Sequence, residues 1–400
     1  AHEIAKLSLY LAQHQTNQKF EKEFGKLKPI LPLKESGKII CGNSTRINWN
    51  EVCPLIDQFG NRHEIYVAGN PPYQGSSKQD GGQKKDMDIV FKGVDSYKKL
   101  DYIACWFYLA SRYIENSNIK FAFVSTNSIC QGEQVGIMWP SIYKMNLEIY
   151  FAYQSFKWKN NAKGNAGVSV VIIGLRSISN QRKYLYQLSL KREVKNINAY
   201  LANSDSLIIS GLRESISGLP EMIIGSKASD NGFLILSEDE KERILIKNPE
   251  ASRFIKKYLG NKDFMNGNKR YCVWVVEKNK EDAYNIEELR IRFEKVKQFR
   301  LGSQKIATKR KAETPYLFDE AKHQDLNSIV VPQTGSEKRE YLPIDFIDKD
   351  TVISNGLRIV YGRDLFLFAI LSSKMHMAWV KAVAGRMKTD MQYSNTICYN

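Results

Sequence analysis

The sequence predicts an α/β unit built on a mostly parallel sheet, followed by a second unit of α+β character. Three observations carry that expectation. Short, continuous apolar runs alternate with helical patterns through the first half. Those runs read as strands covered on both faces. Near residue 215 the regular alternation stops, and charged helices mix with short strands and turns. The breaker Ser217-Gly218-Leu219-Pro220 marks the expected boundary, giving units of 1–216 and 217–400. A chain of 400 residues suits two or three domains.

In chain order, His2 to His14 sets Ile4, Leu7, Leu9, Tyr10 and Leu11 at roughly helical spacing, so a helix is predicted. Lys38 to Cys41 is a short apolar strand that ends at Gly42-Asn43. Ile65 to Gly69 is a second strand, and it ends at Asn70-Pro71-Pro72-Tyr73. Residues 74–94 are rich in Gly, Ser, Lys, Gln and Asp, which predicts a long mobile loop. Tyr97 to Ile114 is a predicted helix, with Leu100, Ile103, Ala104, Phe107, Ala110 and Ile114 on one face. Phe121 to Val124 is a third strand, turning at Ser125-Thr126-Asn127-Ser128. Glu148 to Tyr153 and Val168 to Ile173 are further strands. In the second unit, residues 237–258 read as helical with an interruption at Asn248-Pro249. Glu287 to Phe299 is a strongly charged helix, 312–365 mix short strands with turns, and Leu365 to Val383 is a final helix.

Composition narrows the function classes. At 43% hydrophobic and 11% aromatic, the chain can bury sizeable cores, which excludes a disordered or low-complexity protein. No run of about eighteen apolar residues suggests a transmembrane helix. A net charge of +16 and a pI near 9.3 point to a polyanionic partner, nucleic acid before membrane surface. The six cysteines show no CxxC pair and mostly keep apolar company, as buried free thiols of a reducing compartment do. The five histidines are scattered, so no metal site is expected. The chain starts at Ala1, without Met or leader, and reads as a truncated start.

The chemistry concentrates at Asn70-Pro71-Pro72-Tyr73, directly after an apolar strand. In open α/β sheets, ligands bind beyond the C-terminal strand ends. An adenine exocyclic amine is a poor nucleophile, because its lone pair is delocalised into the ring. Two acceptors can bind its N–H groups and favour a pyramidal nitrogen with the lone pair aimed at a methyl donor. Asn70 would supply the first acceptor and the Pro71 carbonyl the second. The two prolines stiffen the backbone and remove competing donors. Tyr73 offers a flat face on which an extruded base can stack. A proline-stiffened turn with Tyr73 as ordinary packing is the alternative.

NPPY after a strand resembles the signature of N6-adenine methyltransferases of the class I, S-adenosylmethionine-dependent fold. Further stretches resemble the MmeI-like restriction–modification enzymes. They are Leu11-Ala12-Gln13-His14-Gln15-Thr16-Asn17, Ile40-Cys41-Gly42-Asn43, the run from Val124 to Val135 (VSTNSICQGEQV), and Phe156-Lys157-Trp158. In the second unit, Ile224 to Lys227, Ala312 to Phe318, Ser373 to Val380 and Gly385-Arg386-Met387-Lys388 are similar too. The resemblance implies a class I methyltransferase-like sheet, present in part, followed by a target-recognition domain. It implies methyl transfer from S-adenosylmethionine to a flipped adenine in double-stranded DNA, in a prokaryotic cytoplasm. By resemblance, Asn43 and Asn70 face the cofactor, although Asn43 after Gly42 also suits a plain turn. The family's Gly-rich cofactor loop and ribose-binding acid would lie upstream of Ala1, and a nuclease further upstream. The order of parts matches the γ arrangement. The chain alone is therefore expected to be inactive. Two other readings keep fewer of these features: an NPPY enzyme acting on RNA or a protein glutamine, and a non-catalytic DNA-binding fragment.

Two basic clusters suit phosphate contacts. Residues 151–200 hold nine Lys/Arg against one acid, Glu193. Residues 295–311 hold Lys295, Lys297, Arg300, Lys305, Lys309, Arg310 and Lys311 and no acid. Phe156 and Trp158 interleave with Lys157, Lys159 and Lys163, a pattern that can grip a base or its flanks. Arg386 and Lys388 follow an apolar helix and are recognition candidates. Met375 and Trp379 are expected in the core, and a solvated face is the alternative for each basic cluster.

Overall fold

The structure, a computed structural model, describes residues 2–25, 39–56, 59–61, 64–157, 169–387 and 390–400. Packing divides the chain into Ala1–Cys130 with Ile137–Ile208, and Gln131–Gly136 with Ile209–Asn400. The change falls a little before Ser217, because Leu212 already donates its N–H to the Thr396 carbonyl at 2.9 Å.

The first unit contains α1 (His2–Phe24), α2 (Trp49–Val52), β1 (Tyr66–Gly69), α3 (Gly81–Val90), α4 (Ala104–Ile114), β2 (Lys120–Thr126), most of α5 (Gly132–Tyr143), β3 (Leu147–Lys157), β4 (Ser169–Ser177), β5 (Lys183–Gln187) and β6 (Leu190–Val194). One six-stranded sheet runs β1-β2-β4-β3-β5-β6. The α/β class is as expected, but the strand directions are mixed. β1·β2 and β3·β5 are parallel, whereas β4 returns antiparallel between β2 and β3, and β6 antiparallel to β5. β5 and β6 are joined by Leu188 and Ser189 alone, a link short enough only for antiparallel strands, whereas β1 and β2 are joined by a helical crossover that allows parallel pairing. The α4 ring of Phe107 meets Phe121 and Phe123 of β2 edge-on, at 5.9 and 5.4 Å between centroids. β1 is an edge strand whose residues, Val67 apart, are exposed.

Three local expectations need correction here. Residues 74–94 are not a long loop. Asp80 and Gln83 form a reciprocal capping box that starts α3, and Met87, Val90 and Phe91 bury its inner face. The helix expected from Tyr97 begins only at Ala104, after a 3-10 turn at Tyr97–Lys99 and an extended Leu100. Ile39 to Cys41 is irregular backbone rather than a strand, and Ile40 is exposed (Lys38 lies outside the described residues).

The second unit contains β7 (Ile223–Ile224), β8 (Ile235–Leu236), α6 (Glu238–Lys247), β9 (Ile255–Leu259), α7 (Asn261–Asn266), β10 (Arg270–Val273), α8 (Lys280–Tyr284), α9 (Glu287–Leu301) and α10 (Ile306–Arg310). It continues with β11 (Ser328–Pro332), β12 (Thr334–Gly335), β13 (Asp345–Ile347), β14 (Thr351–Ile353), β15 (Leu357–Tyr361), α11 (Leu365–Ser372), α12 (Lys374–Val383), β16 (Gly385–Met387) and β17 (Asp390–Gln392). Three small sheets run β14-β9-β10-β8, β13-β11-β15-β7 and β12-β17-β16. The main core joins Leu234, Phe254, Phe293, Val296, Tyr316 and Phe318.

The helix expected across 237–258 stops at Lys247. Asn248 before Pro249 leaves helical geometry, and Ile255–Leu259 instead pairs with β10 and β14. The final helix is two, α11 and α12, bent by 57°. The Ser373 hydroxyl between them accepts from the His376 N–H at 3.1 Å and starts the second. Met375 and Trp379 are exposed rather than core, because Met377, Val380 and Val383 form the buried face of α12. No single described helix is long and apolar enough to cross a membrane.

Candidate active site

The NPPY segment leaves the C-terminal end of β1, and Asn127 leaves the C-terminal end of its parallel neighbour β2. Asn70 and Pro72 are exposed, Tyr73 is half-buried and Pro71 is buried. An apolar strand thus delivers a stiff, accessible carboxamide to the sheet rim. Exposure leaves the Asn70 carboxamide accessible to solvent, and the buried Pro71 ring anchors the segment.

The next residue is held from several sides. The Gln74 N–H donates to Asp101 Oδ1 at 2.8 Å. Its carbonyl accepts from the Tyr102 N–H at 3.0 Å and from Gln79 Nε2 at 3.1 Å. Gln79 is buried and also donates to the Leu100 carbonyl at 3.0 Å. The carboxylate of Asp101 continues to β2: Thr126 and Ser128 point their hydroxyls at Oδ2 at 3.5 and 3.4 Å and share a 2.8 Å hydrogen bond.

A second buried carboxylate, Asp86 on α3, organises the turn that contains Asn43. Asp86 accepts from Asn43 Nδ2 at 2.9 Å, Arg46 Nε at 2.7 Å and the Tyr102 hydroxyl at 2.6 Å. Burial pushes this carboxyl up, but the hydrogen bonds from Tyr102, Asn43 and Arg46 outweigh it and hold it below its ordinary value. Asn43 Oδ1 accepts from the Thr45 N–H and hydroxyl at 3.0 and 2.8 Å. Asn43 is therefore a turn-former in an irregular segment, not the end of a strand. One N–H of its carboxamide lies outside these contacts. Tyr102 bonds both Asp86 and Gln74, so one hydrogen-bonded chain runs from the Asn43 turn to the NPPY exit and on to β2.

The basic positions divide by environment. Arg176 and Lys183, counted with the 151–200 cluster, are both paired with the buried Glu148, at 2.9 and 2.8 Å. They are structural counter-ions, so that cluster presents less free charge than its composition suggests. Phe156 is half-buried and Lys157 exposed at the end of β3; Trp158 lies outside the described residues. Arg300 is fully buried and donates to the carbonyls of Ala228, Ser229, Lys311, Thr314 and Leu317. It holds loops together and has no donor to offer a phosphate. Lys305, Lys309, Arg310 and Lys311 are exposed. Arg386 is half-buried, bonding Glu337 and the Lys381 carbonyl at 3.1 Å each; Lys388 lies outside the described residues.

Sequence reasoning missed Asp86, Asp101, Tyr102, Gln74 and Gln79. The Asp80-to-Gln83 capping pattern could have signalled α3 and so placed Asp86 on a helix. Asp101 had no local signal, because its partners lie on a different strand and a different loop.

Residues 1–187 match the family model described as "MmeI, DNA-methyltransferase domain", and residues 203–400 match "MmeI, target recognition domain". The chain is 42% identical over 402 aligned residues to "DNA methyltransferase A" of Bacillus subtilis (strain 168), covering 100% of this chain and 45% of that protein. Its fold is similar to that of a solved structure, the Type IIL restriction-modification enzyme MmeI in complex with DNA. The TM-score is 0.89 at 34% identity, over 97% of this chain and 52% of that one.

Proposed function

Because the chain belongs to the MmeI family, with its methyltransferase domain followed by its target recognition domain, we propose that it methylates the N6 amine of adenine at a specific duplex DNA site, in a prokaryotic cytoplasm. The chain spans about half the length of the relatives it matches. Attachment to a nuclease and to further cofactor-binding segments of the same polypeptide is part of the same proposal.

The observation that carries the reading is the accessible Asn70 carboxamide on a pinned loop at the rim of a parallel strand pair. Asn70 Oδ1 and the Pro71 carbonyl would accept the two amine N–H groups, and Tyr73 would stack on the flipped ring. Loss of planarity at nitrogen then exposes a lone pair to the methyl group. S-adenosylmethionine, when bound, supplies an electrophilic methyl carbon. The residues present suit one side of that cofactor: the Asn43 N–H left over from its contact with Asp86 would donate to a ring-nitrogen acceptor of its adenine, and Asn70 would face the reacting end. Lys157, Lys305, Lys309, Arg310 and Lys311 are accessible cations suited to phosphates, with Phe156, Trp158, Arg386 and Lys388 proposed to act beside them in DNA contact.

In the intact parent enzyme, Asn70→Ala should abolish methyl transfer to an adenine-containing duplex and leave duplex affinity nearly unchanged. An interaction made only in the productive complex acts on the transition state. Wild-type turnover in that variant would refute the assignment.

A further inference from the structure

We infer that Asp101 is the positioning residue of the NPPY loop: one buried carboxylate fixes both the loop exit and the end of the neighbouring strand. The inference rests on the proposed methyl transfer and assigns a duty to a residue that does not itself touch substrate.

The geometry is specific. Asn70 to Tyr73 has two ends. The entry is fixed by the β1·β2 ladder, in which Gly69 pairs with Phe123. Everything after Tyr73 depends on how Gln74 is held. Its N–H has Asp101 Oδ1 at 2.8 Å, and its carbonyl has the N–H of the very next residue, Tyr102, at 3.0 Å. Residues 101 and 102 therefore grip both backbone polar groups of one residue, Gln74, one through a carboxylate and the other through a backbone N–H. The Asp101 Oδ1 also lies 3.3 Å from the Ile103 N–H, tying the grip to the approach to α4. The other carboxylate oxygen takes the Thr126 and Ser128 hydroxyls, on either side of Asn127. Asp101 is 5% exposed, so these contacts are shielded from competing water.

The consequence is mechanical. Two acceptors, a side-chain oxygen and a backbone carbonyl, must sit at fixed separation to bind one NH2 group. Proline rings restrict φ within the loop, but they do not fix where its far end lies. Asp101 does that, and it references the end to β2, the strand next to β1. Misplacement by about 1 Å can lower a rate about 10²-fold without touching the chemistry. Asn at this position can still accept from Gln74 and donate to a hydroxyl, whereas Ala can do neither.

The test uses the intact parent enzyme with saturating S-adenosylmethionine and an adenine-containing duplex. Asp101→Ala should lower the single-turnover methylation rate on the order of 10²-fold, with KM for cofactor and duplex within about twofold. Asp101→Asn should recover most of the rate. Thr126→Val with Ser128→Ala, which leaves the Gln74 contacts in place, should lower the rate less than Asp101→Ala and serves as the readout where the alanine variant does not fold. An unchanged rate in Asp101→Ala overturns the inference, as does a loss in which rate and both KM values worsen together and Asn gives no recovery. In the double variant, a wild-type rate overturns the β2 tie. Failure of the wild-type parent to methylate adenine would instead sink the functional proposal.

Discussion

Replacing Asp86 with Ala should destabilise the first unit by roughly 1–4 kcal/mol. The magnitude follows from what each of the three donors loses. The Tyr102 hydroxyl is buried and loses the carboxylate it donates to, leaving it beside the Thr45 hydroxyl, a loss of about 1–3 kcal/mol. The Arg46 side chain is 49% exposed and rehydrates, so its share is about 0–1 kcal/mol. Asn43 is also exposed and loses only one of its three side-chain hydrogen bonds. Asp86→Asn keeps an acceptor for Tyr102 and should lose less than half as much. The assay is urea unfolding of the 400-residue chain followed by tryptophan fluorescence, since Trp106 stacks edge-on against Tyr102 at 5.0 Å. The folded carboxyl lies below its ordinary value, so its contribution is present above the unfolded pKa of about 3.9 and is lost as pH falls through the lowered value. The wild-type advantage should therefore shrink in acid. A difference below about 0.5 kcal/mol at neutral pH would refute the idea that Asp86 holds the Asn43 turn.

Arg300→Ala should unfold or strongly destabilise the second unit, by about 3–5 kcal/mol, because five backbone carbonyls lose one buried, charged donor; thermal melting of the chain checks this, and a near-native transition would return Arg300 to the surface cluster. In the parent enzyme, Tyr73→Ala should weaken the complex with the flipped base by ~1–3 kcal/mol while Phe or Trp retains activity, as 2-aminopurine fluorescence at the target base and turnover would show. Replacing Lys305, Lys309, Arg310 and Lys311 together with Gln should reduce the slope of log affinity against log salt by up to about 0.9 per lost phosphate contact; an unchanged slope would leave them a solvated face. If Asn43 and Asn70 face the cofactor as proposed, they would supply contacts on one side only, so the chain by itself should bind S-adenosylmethionine poorly and show no turnover; calorimetry finding micromolar affinity with turnover would show a differently built site.

Much of the candidate site was legible in the sequence because it is local. An apolar strand, two prolines, a carboxamide and an aromatic ring lie within nine residues of chain between Ile65 and Tyr73, and neither their order nor their chemistry depends on remote contacts. The α4 face, β2 and α9 were legible for a similar reason, since periodicity is a property of the segment itself. Tertiary structure decided what depends on partners. Strand direction was one such feature: β4 is apolar enough for either direction, and only its place between β2 and β3 sets it antiparallel. Charge was another. Arg300 and Arg176 look like surface cations in a basic stretch, yet one is sequestered by backbone carbonyls from distant loops and the other by Glu148. The clamp on Gln74 is the clearest case. Asp101 lies 27 positions from Gln74 and 25 from Thr126 along the chain, and only the folded sheet brings all three to one carboxylate. Backbone propensity and motif chemistry act over a few residues, whereas hydrogen-bond satisfaction in a buried site is settled by whatever the fold places within about 3 Å.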